Sequence, residues 1–328
     1  MQSTMKQPFS VRQLRALLPR FDPFCAWHPE GEWERYHALY GFDALASCQH
    51  YSAGVFQADD TELAVHFFAP SKAPLRSRGT VVLLHGYMDH VGLYTRLIDW
   101  VLQQGFCLVA YDLPGHGVSS GPEHAIQTFS DYALQLDALL DAYPELPGPR
   151  VLMGQSTGGA IALEHHRLCD QQTPKIASRI LLAPLIRPSQ YRSIQLRYLI
   201  CHYFLERVKR FYTPNSHDER FVHFVREEDP LQKRWVSVDW IGAMLNWVTE
   251  IEAWRPKHSD AMVIQGDCDE TVDWAHNLAV LKEVYPDIEV HIIESALHNL
   301  ANEETAWREP VFDLIAKGLL RIHKKGTL

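Results

Sequence analysis

The chain predicts an α/β fold: a mostly parallel, eight-stranded sheet with helices on both faces and an inserted helical cap. Three observations point there. Short, continuous apolar runs at 80–84, 106–111, 151–153, 180–183, 261–265 and 288–293 alternate with helical patterns near 92–104, 129–143, 159–170, 274–284 and 300–322. Strands that are apolar along their whole length are buried on both faces, as in parallel sheets wrapped by helices. Upstream, Val55-Phe56 and the run 63–68 flank Ala58-Asp59-Asp60-Thr61, which reads as a hairpin. Finally, the alternation lapses between Pro184 and His258, where the pattern is helical rather than extended.

These signals divide the chain into an N-terminal extension (1–50), a core in two pieces (51–185 and 258–328) and an insertion (186–257) between two strands. In the extension, Val11, Leu14, Leu18 and Phe21 share one helical face, with Lys6, Arg12, Arg15 and Arg20 around it. A helix docked on the body is expected there; a membrane-surface helix is the alternative. In the insertion, 192–211 reads as one helix. Gln195, His202, Glu206 and Lys209 lie on one face, and Leu196, Ile200 and Tyr203 on the other. Trp235, Trp240, Trp247 and Trp254 follow. The expected arrangement is a helical cap over the catalytic edge of the sheet.

With 328 residues, 46% of them hydrophobic, the chain can bury a large core. A formal net charge of −9 argues against a general nucleic-acid binder. No apolar run approaches the roughly 18 residues of a transmembrane helix, and no secretory signal is read at the N-terminus. Cysteines at 25, 48, 107, 169, 201 and 268 stand singly, without a C-x-x-C pair or metal-ligand spacing. Free thiols in the cytoplasm, and no metal or other cofactor, are therefore expected.

The chemistry-bearing residues lie at strand ends. The run 151–153 leads into Gly154-Gln155-Ser156-Thr157-Gly158 and then an amphipathic helix. A lone G-x-S-x-G has an appreciable chance rate. Its place between a strand and a helix makes it a nucleophile elbow, with Ser156 lifted out of the sheet edge. Serine hydrolase chemistry is the expectation, and Ser rather than Asp here disfavours an epoxide hydrolase or dehalogenase. His85-Gly86-Tyr87 follows the strand at 80–84, so the backbone N–H groups of Tyr87 and Thr157 are the candidate oxyanion donors. His85 and His90 read as structural within their loop, and His116 as a residue that satisfies backbone groups. A later acid and base are then required. His298 follows the strand at 288–293 and can reach Ser156. His291, inside that strand, and His276, on a helix, are poor candidates. Asp269 lies three residues past Gly266, with Asp267 and Asp273 as rivals.

Taken together, these motifs resemble the monoacylglycerol lipase and lysophospholipase branch of the α/β-hydrolases, which is often grouped with serine aminopeptidases. His85-Gly86 with His90 and Tyr94 resembles the branch's opening. Asp112 with Gly115-His116-Gly117 and Ser119 is similar to its second loop. Gly266 with Asp269, His298 with Asn302-Glu303, and Asp229-Pro230 complete the likeness, which covers roughly 53–320. The resemblance implies Ser156 as nucleophile, His298 as base and Asp269 as its orienting acid. It also implies a carboxylic ester substrate of monoacylglycerol or lysophospholipid type. In the insertion, Arg192, Arg197, Arg207, Lys209 and Arg210 form a basic stretch, which reads as a solvated helix face or, alternatively, as a contact for anionic headgroups or a membrane surface. A peptidase or amidase of the same fold is the alternative, and a non-catalytic binding protein a remoter one. The extension is longer than the branch leads one to expect, and Thr157 stands where Met is common.

Overall fold

The computed structural model describes residues 9–169, 175–255 and 260–326. Lys6, the expected insertion boundary at 257–258 and the end of the expected helix 159–170 lie outside the described residues.

The strands are β1 (His50–Ala58), β2 (Thr61–Ala69), β3 (Thr80–Leu84), β4 (Cys107–Tyr111), β5 (Arg150–Gln155), β6 (Ser178–Leu182), β7 (Arg207–Lys209), β8 (Trp235–Ser237), β9 (Ala261–Gly266) and β10 (Glu289–Ile293). Eight of them form one sheet in the order β1-β2-β4-β3-β5-β6-β9-β10. The β1–β2 hairpin and the β2–β4 pair are antiparallel, and every other pair in this sheet is parallel. From β3 the chain steps to β4 on one side and then returns to β5 on the other. That reversal opens a crevice beyond the C-terminal ends of β3 and β5, where ligands of such sheets bind.

The helices are α1 (Val11–Leu17), α2 (Glu32–Tyr40), α3 (Thr95–Gln103), α4 (Phe129–Ala142), α5 (Thr157–Leu168), α6 (Tyr191–Cys201), α7 (Glu219–His223), α8 (Val238–Ala253), α9 (Trp274–Val284) and α10 (Thr305–Gly326). Alternate side chains of each strand enter opposite layers. Val82, Leu84 and Leu152 pack with α4, α5, α8 and α9. Val81, Leu83 and Met153 pack with α2, α3 and α10. Both faces are thereby dry, which explains the unbroken apolar runs of the central strands.

The N-terminal extension is a docked layer. Leu14, Leu18 and Phe21 are buried, so the apolar face read in this segment is turned into the fold, while Leu17 of α1 is exposed. The Trp33 indole N–H donates to Leu14 O at 2.8 Å, and Phe21 N–H donates to Val55 O at 2.9 Å. The sequence reading did not anticipate α2. Its signals were Trp33, Tyr36 and Tyr40 at helical spacing and a left-handed Gly41 (φ 76°) at its end.

The insertion differs from the single helix expected over 192–211. Helix α6 stops at Cys201, and Arg207–Lys209 instead pairs antiparallel with β8, Val208 opposite Val236. No residue of α6 is buried, and Leu196, Ile200 and Tyr203 are all exposed. An apolar stripe that meets no core adds nothing to helix propensity, so the helix is not extended. By contrast, α8 buries Trp240, Met244, Trp247 and Ile251 against α4 and the sheet layer.

Several histidines in these layers are buried without a charge partner. Burial pushes His66 down to about 3 and His116 down to about 4. Both remain neutral in the fold while the unfolded chain binds a proton below about pH 6.5. Stability is therefore expected to be intact above that pH and to fall on acidification until these folded-state values are reached. The two groups together contribute at most about 3 kcal/mol per pH unit. Chemical denaturation at pH 7, 6 and 5 checks this, and a flat profile would contradict it.

Candidate active site

Ser156 caps the N-terminus of α5 directly after β5, with φ 54° and ψ −113°. A non-glycine residue in this region stores about 1–3 kcal/mol and must be held by its surroundings. The hold is visible: Ser156 N–H donates to Leu182 O at 2.9 Å, and Ser156 O accepts from Ala160 and Leu185 N–H. A Cβ at Gly158 would overlap the Leu84 carbonyl, and one at Gly154 would overlap the Gly158 backbone. The glycines are thus set by the close approach of β3, β5 and α5. Thr157 opens α5, so its N–H has no intrahelical acceptor and points out of the helix start.

The loop after β3 runs alongside. A Cβ at Gly86 would lie 3.5 Å from that of Ser156, which brings the neighbouring Tyr87 backbone to the same edge. Tyr87 is fixed from both sides. Its hydroxyl donates to His124 O at 2.8 Å and accepts from Ser237 N–H at 3.2 Å. Its ring stacks on Trp240 of α8 at 3.8 Å and 19°. Such a stack is worth about 0.5–1.5 kcal/mol beyond its buried area.

His90 departs from the expected bonding within its own loop. Its Nε2 lies 2.9 Å from Asp229 Oδ2 of the insertion, and Tyr40 of α2 donates to Asp229 Oδ1 at 2.7 Å. Burial alone would raise the Asp229 carboxyl and lower the His90 imidazole. Their mutual attraction outweighs it in both cases, holding Asp229 below and His90 above the ordinary value. Gln232 adds a bond from its Nε2 to Met88 O at 2.9 Å. The loop carrying Tyr87 is therefore braced by the insertion and the extension together. His85 and His116 keep structural roles: His85 Nε2 accepts from Leu113 N–H at 2.9 Å, and His116 Nδ1 lies 2.8 Å from Pro114 O.

The loops that carry Asp269 and His298 follow β9 and β10. Asp269 Oδ2 lies 2.7 Å from His298 Nδ1, both residues being buried. Oδ1 accepts from Thr271 and Val272 N–H, and Oδ2 also accepts from Gln265 Nε2 at 3.0 Å. Burial would raise this carboxyl, but His298 and these donors outweigh it and hold it below the usual carboxylate range. The rivals face elsewhere. Asp267 Oδ1 accepts from Ser295 N–H, and Asp273 caps α9 by accepting from His276 N–H. With Nδ1–H donated to Asp269, Nε2 of His298 is left as the acceptor. Gln155, beside the elbow serine, donates from Nε2 to His298 O at 2.9 Å and so ties the His298 loop to β5.

The contacts of Gln155, Gln265, Tyr40 and Trp240 at the site were not expected from the sequence. Gln155 lay inside the elbow motif and Gln265 at the last position of an apolar run, where a buried amide is itself a signal. Tyr40 and Trp240 carried no local sign of their partners.

A doubly wound sheet with a serine elbow at its switch point, and an Asp–His pair on the loops of two later strands, defines an α/β-hydrolase. Within that class the family model described as serine aminopeptidase, S33, matches residues 76–305. The chain belongs to this family, on the branch that includes the monoacylglycerol lipases. It is 32% identical over 111 residues to phospholipase YtpA of Bacillus subtilis, a match that covers 34% of this chain and 42% of that protein. It is 25% identical over 265 residues to the monoglyceride lipase of Rattus norvegicus, covering 75% and 82%. A soluble variant of the Saccharomyces cerevisiae monoglyceride lipase superposes with a TM-score of 0.71 at 18% identity, covering 82% of this chain and 94% of that one. That likeness establishes the fold.

Proposed function

We propose that Ser156, His298 and Asp269 form a catalytic triad that hydrolyses lipid esters of monoacylglycerol or lysophospholipid type. Its branch makes the chain a carboxylic ester hydrolase; the machinery and the substrate are the proposal. The observation that carries it is the 2.7 Å Asp269–His298 bond on a loop tied to the elbow strand through Gln155. In this reading His298 Nε2 takes the Ser156 hydroxyl proton as Oγ attacks the ester carbonyl. Asp269 holds the imidazole in its reactive tautomer and stabilises the imidazolium. The oxyanion sits between the N–H groups of Tyr87 and Thr157, each worth about 10²–10³ in rate. His298 then protonates the departing alcohol, and water returns the acyl group as a carboxylic acid.

The lipid substrate is supported by the relatives' activities and by the surface of the insertion, which we read as a cap. Leu199, Phe204 and Phe211 stand exposed there, in the same stretch as Arg197, Arg207, Lys209 and Arg210. Apolar side chains flanked by cations, on a chain of net charge −9, suit peripheral contact with an anionic lipid surface. Among the described residues no helix is long and apolar enough to cross a membrane.

The peptidase alternative needs an acidic subsite for a substrate amine. Asp229 is held by His90 and Tyr40, Glu227 pairs with Arg226, and Glu228 with His223. Glu206, like Glu227 and Glu228, is exposed, so among these four acids burial withdraws Asp229 alone. One substrate panel tests the ester reading: monoacylglycerol, lysophospholipid and aminoacyl-amide, each offered with anionic or zwitterionic vesicles. Turnover of a lipid ester above the amide, with co-sedimentation on anionic vesicles, is the expected result. Preferential amide turnover overturns the substrate assignment, and absence of sedimentation removes the membrane contact.

A further inference from the structure

The segment that carries the base is clamped on both sides of His298. Glu303, five residues further on, is fully buried. Its Oε1 accepts from the N–H of Leu297, directly before the base, at 2.8 Å. Its Oε2 accepts from His217 N–H at 2.7 Å and from Glu304 N–H at 3.1 Å. The His217 ring adds a contact from Nδ1 to Oε1 at 3.1 Å and stacks on Trp307 at 4.0 Å and 11°. On the other side of the base, Asn299 N–H donates to Asn215 O at 2.7 Å. Ser216 Oγ donates to Asn302 O at 2.8 Å. Residues 215–217 belong to the insertion, and the next residue, Asp218, is pinned to Arg96 of α3 at 2.7 Å.

Two features make this more than loop packing. The contacts grip the immediate neighbours of His298, Leu297 and Asn299, which leaves the base little freedom to shift. Half of the grip is supplied by the insertion rather than by the core. A displacement of about 1 Å in a catalytic group can cost about 10²-fold in rate. Movement of the insertion would thus be felt at the base without any contact to substrate.

We propose that Glu303 is a positioning residue for His298, and that through Glu303 the segment 215–217 couples the seating of the cap to the alignment of the base. This rests on His298 being the base, as proposed above. In Glu303→Gln one acceptor oxygen becomes an NH2 group, so the side chain no longer accepts from both Leu297 and His217. In His217→Ala the backbone bonds to Glu303 from Leu297 and from position 217 stay, and only the ring's contact to Oε1 and its stack on Trp307 are lost.

The experiment uses the full chain and p-nitrophenyl acetate, whose acyl group is too small to need the cap for binding. Glu303→Gln is expected to lower kcat about 10²-fold and His217→Ala about 10-fold, each with KM changed less than about twofold. The far-downfield proton resonance of His298 Nδ1–H is expected to shift or broaden in both variants, after correction for folded fraction by thermal unfolding. Parental kcat and an unmoved resonance overturn the proposal. So does a loss of kcat accounted for by folded fraction alone. If Glu303→Gln does not fold, His217→Ala carries the test by the same criteria. His298→Ala in the same series separates the two levels: retained activity there removes the base assignment itself, whereas an inactive His298→Ala beside parental positioning variants removes only the coupling.

Discussion

Ser156→Ala is expected to abolish ester turnover, lowering kcat by roughly 10⁴–10⁶-fold. The fold should survive the change. The bonds that hold the elbow run through the Ser156 backbone, to Leu182, Ala160 and Leu185, and alanine keeps them. The strained φ of 54° is imposed by the glycine contacts around it and is common to parent and variant. The assay pairs p-nitrophenyl ester hydrolysis with fluorophosphonate labelling and a melting curve. Loss of both activities at an unchanged melting temperature is the predicted outcome. Undiminished hydrolysis would remove Ser156 from the mechanism.

Asp269→Asn should have the second-largest effect, a fall in kcat of about 10³–10⁴-fold. The substitution preserves size in a site that is already saturated with donors from Gln265, Thr271, Val272 and His298. An amide cannot accept from all of them. If its NH2 turns toward His298, the imidazole must accept at Nδ1 and carry its proton on Nε2. It can then no longer take the proton of Ser156. The imidazolium formed during attack also loses its counter-charge. The same change at Asp267 or Asp273 should leave kcat within about twofold of the parent, because those carboxyls bond Ser295 and His276 backbone groups instead. A large loss at Asp267 and none at Asp269 would reassign the acid.

Among the three aspartates after β9, the sequence favours Asp269 through its spacing from Gly266 and through the family resemblance. Strand register alone brings all three near the crevice. The direction in which each carboxyl points, toward His298 for Asp269 and toward Ser295 and His276 backbone groups for the other two, is set by turns of the backbone. The extent of α6 was not legible in the sequence. Its apolar positions have helical period but meet no core, so the pattern carries no information on where the helix ends. The opposite holds for α8, whose Trp240 and Trp247 are buried and fix it against the core.

The layered sheet, the hairpin, the elbow and the loops that carry Ser156, Asp269 and His298 were determined by the sequence itself. Each of these depends on short-range chemistry. A strand covered on both faces must be apolar at every position, and a backbone packed against backbone leaves room only for glycine. Tertiary structure alone decided how those loops are held together. The Asp229 bond to His90 spans 139 residues, that of Gln155 to His298 spans 143, and that of His217 to Glu303 spans 86. Such partners are specified by how the layers pack rather than by local propensity. A polar residue's type shows that it needs a partner, and the fold determines which partner it receives.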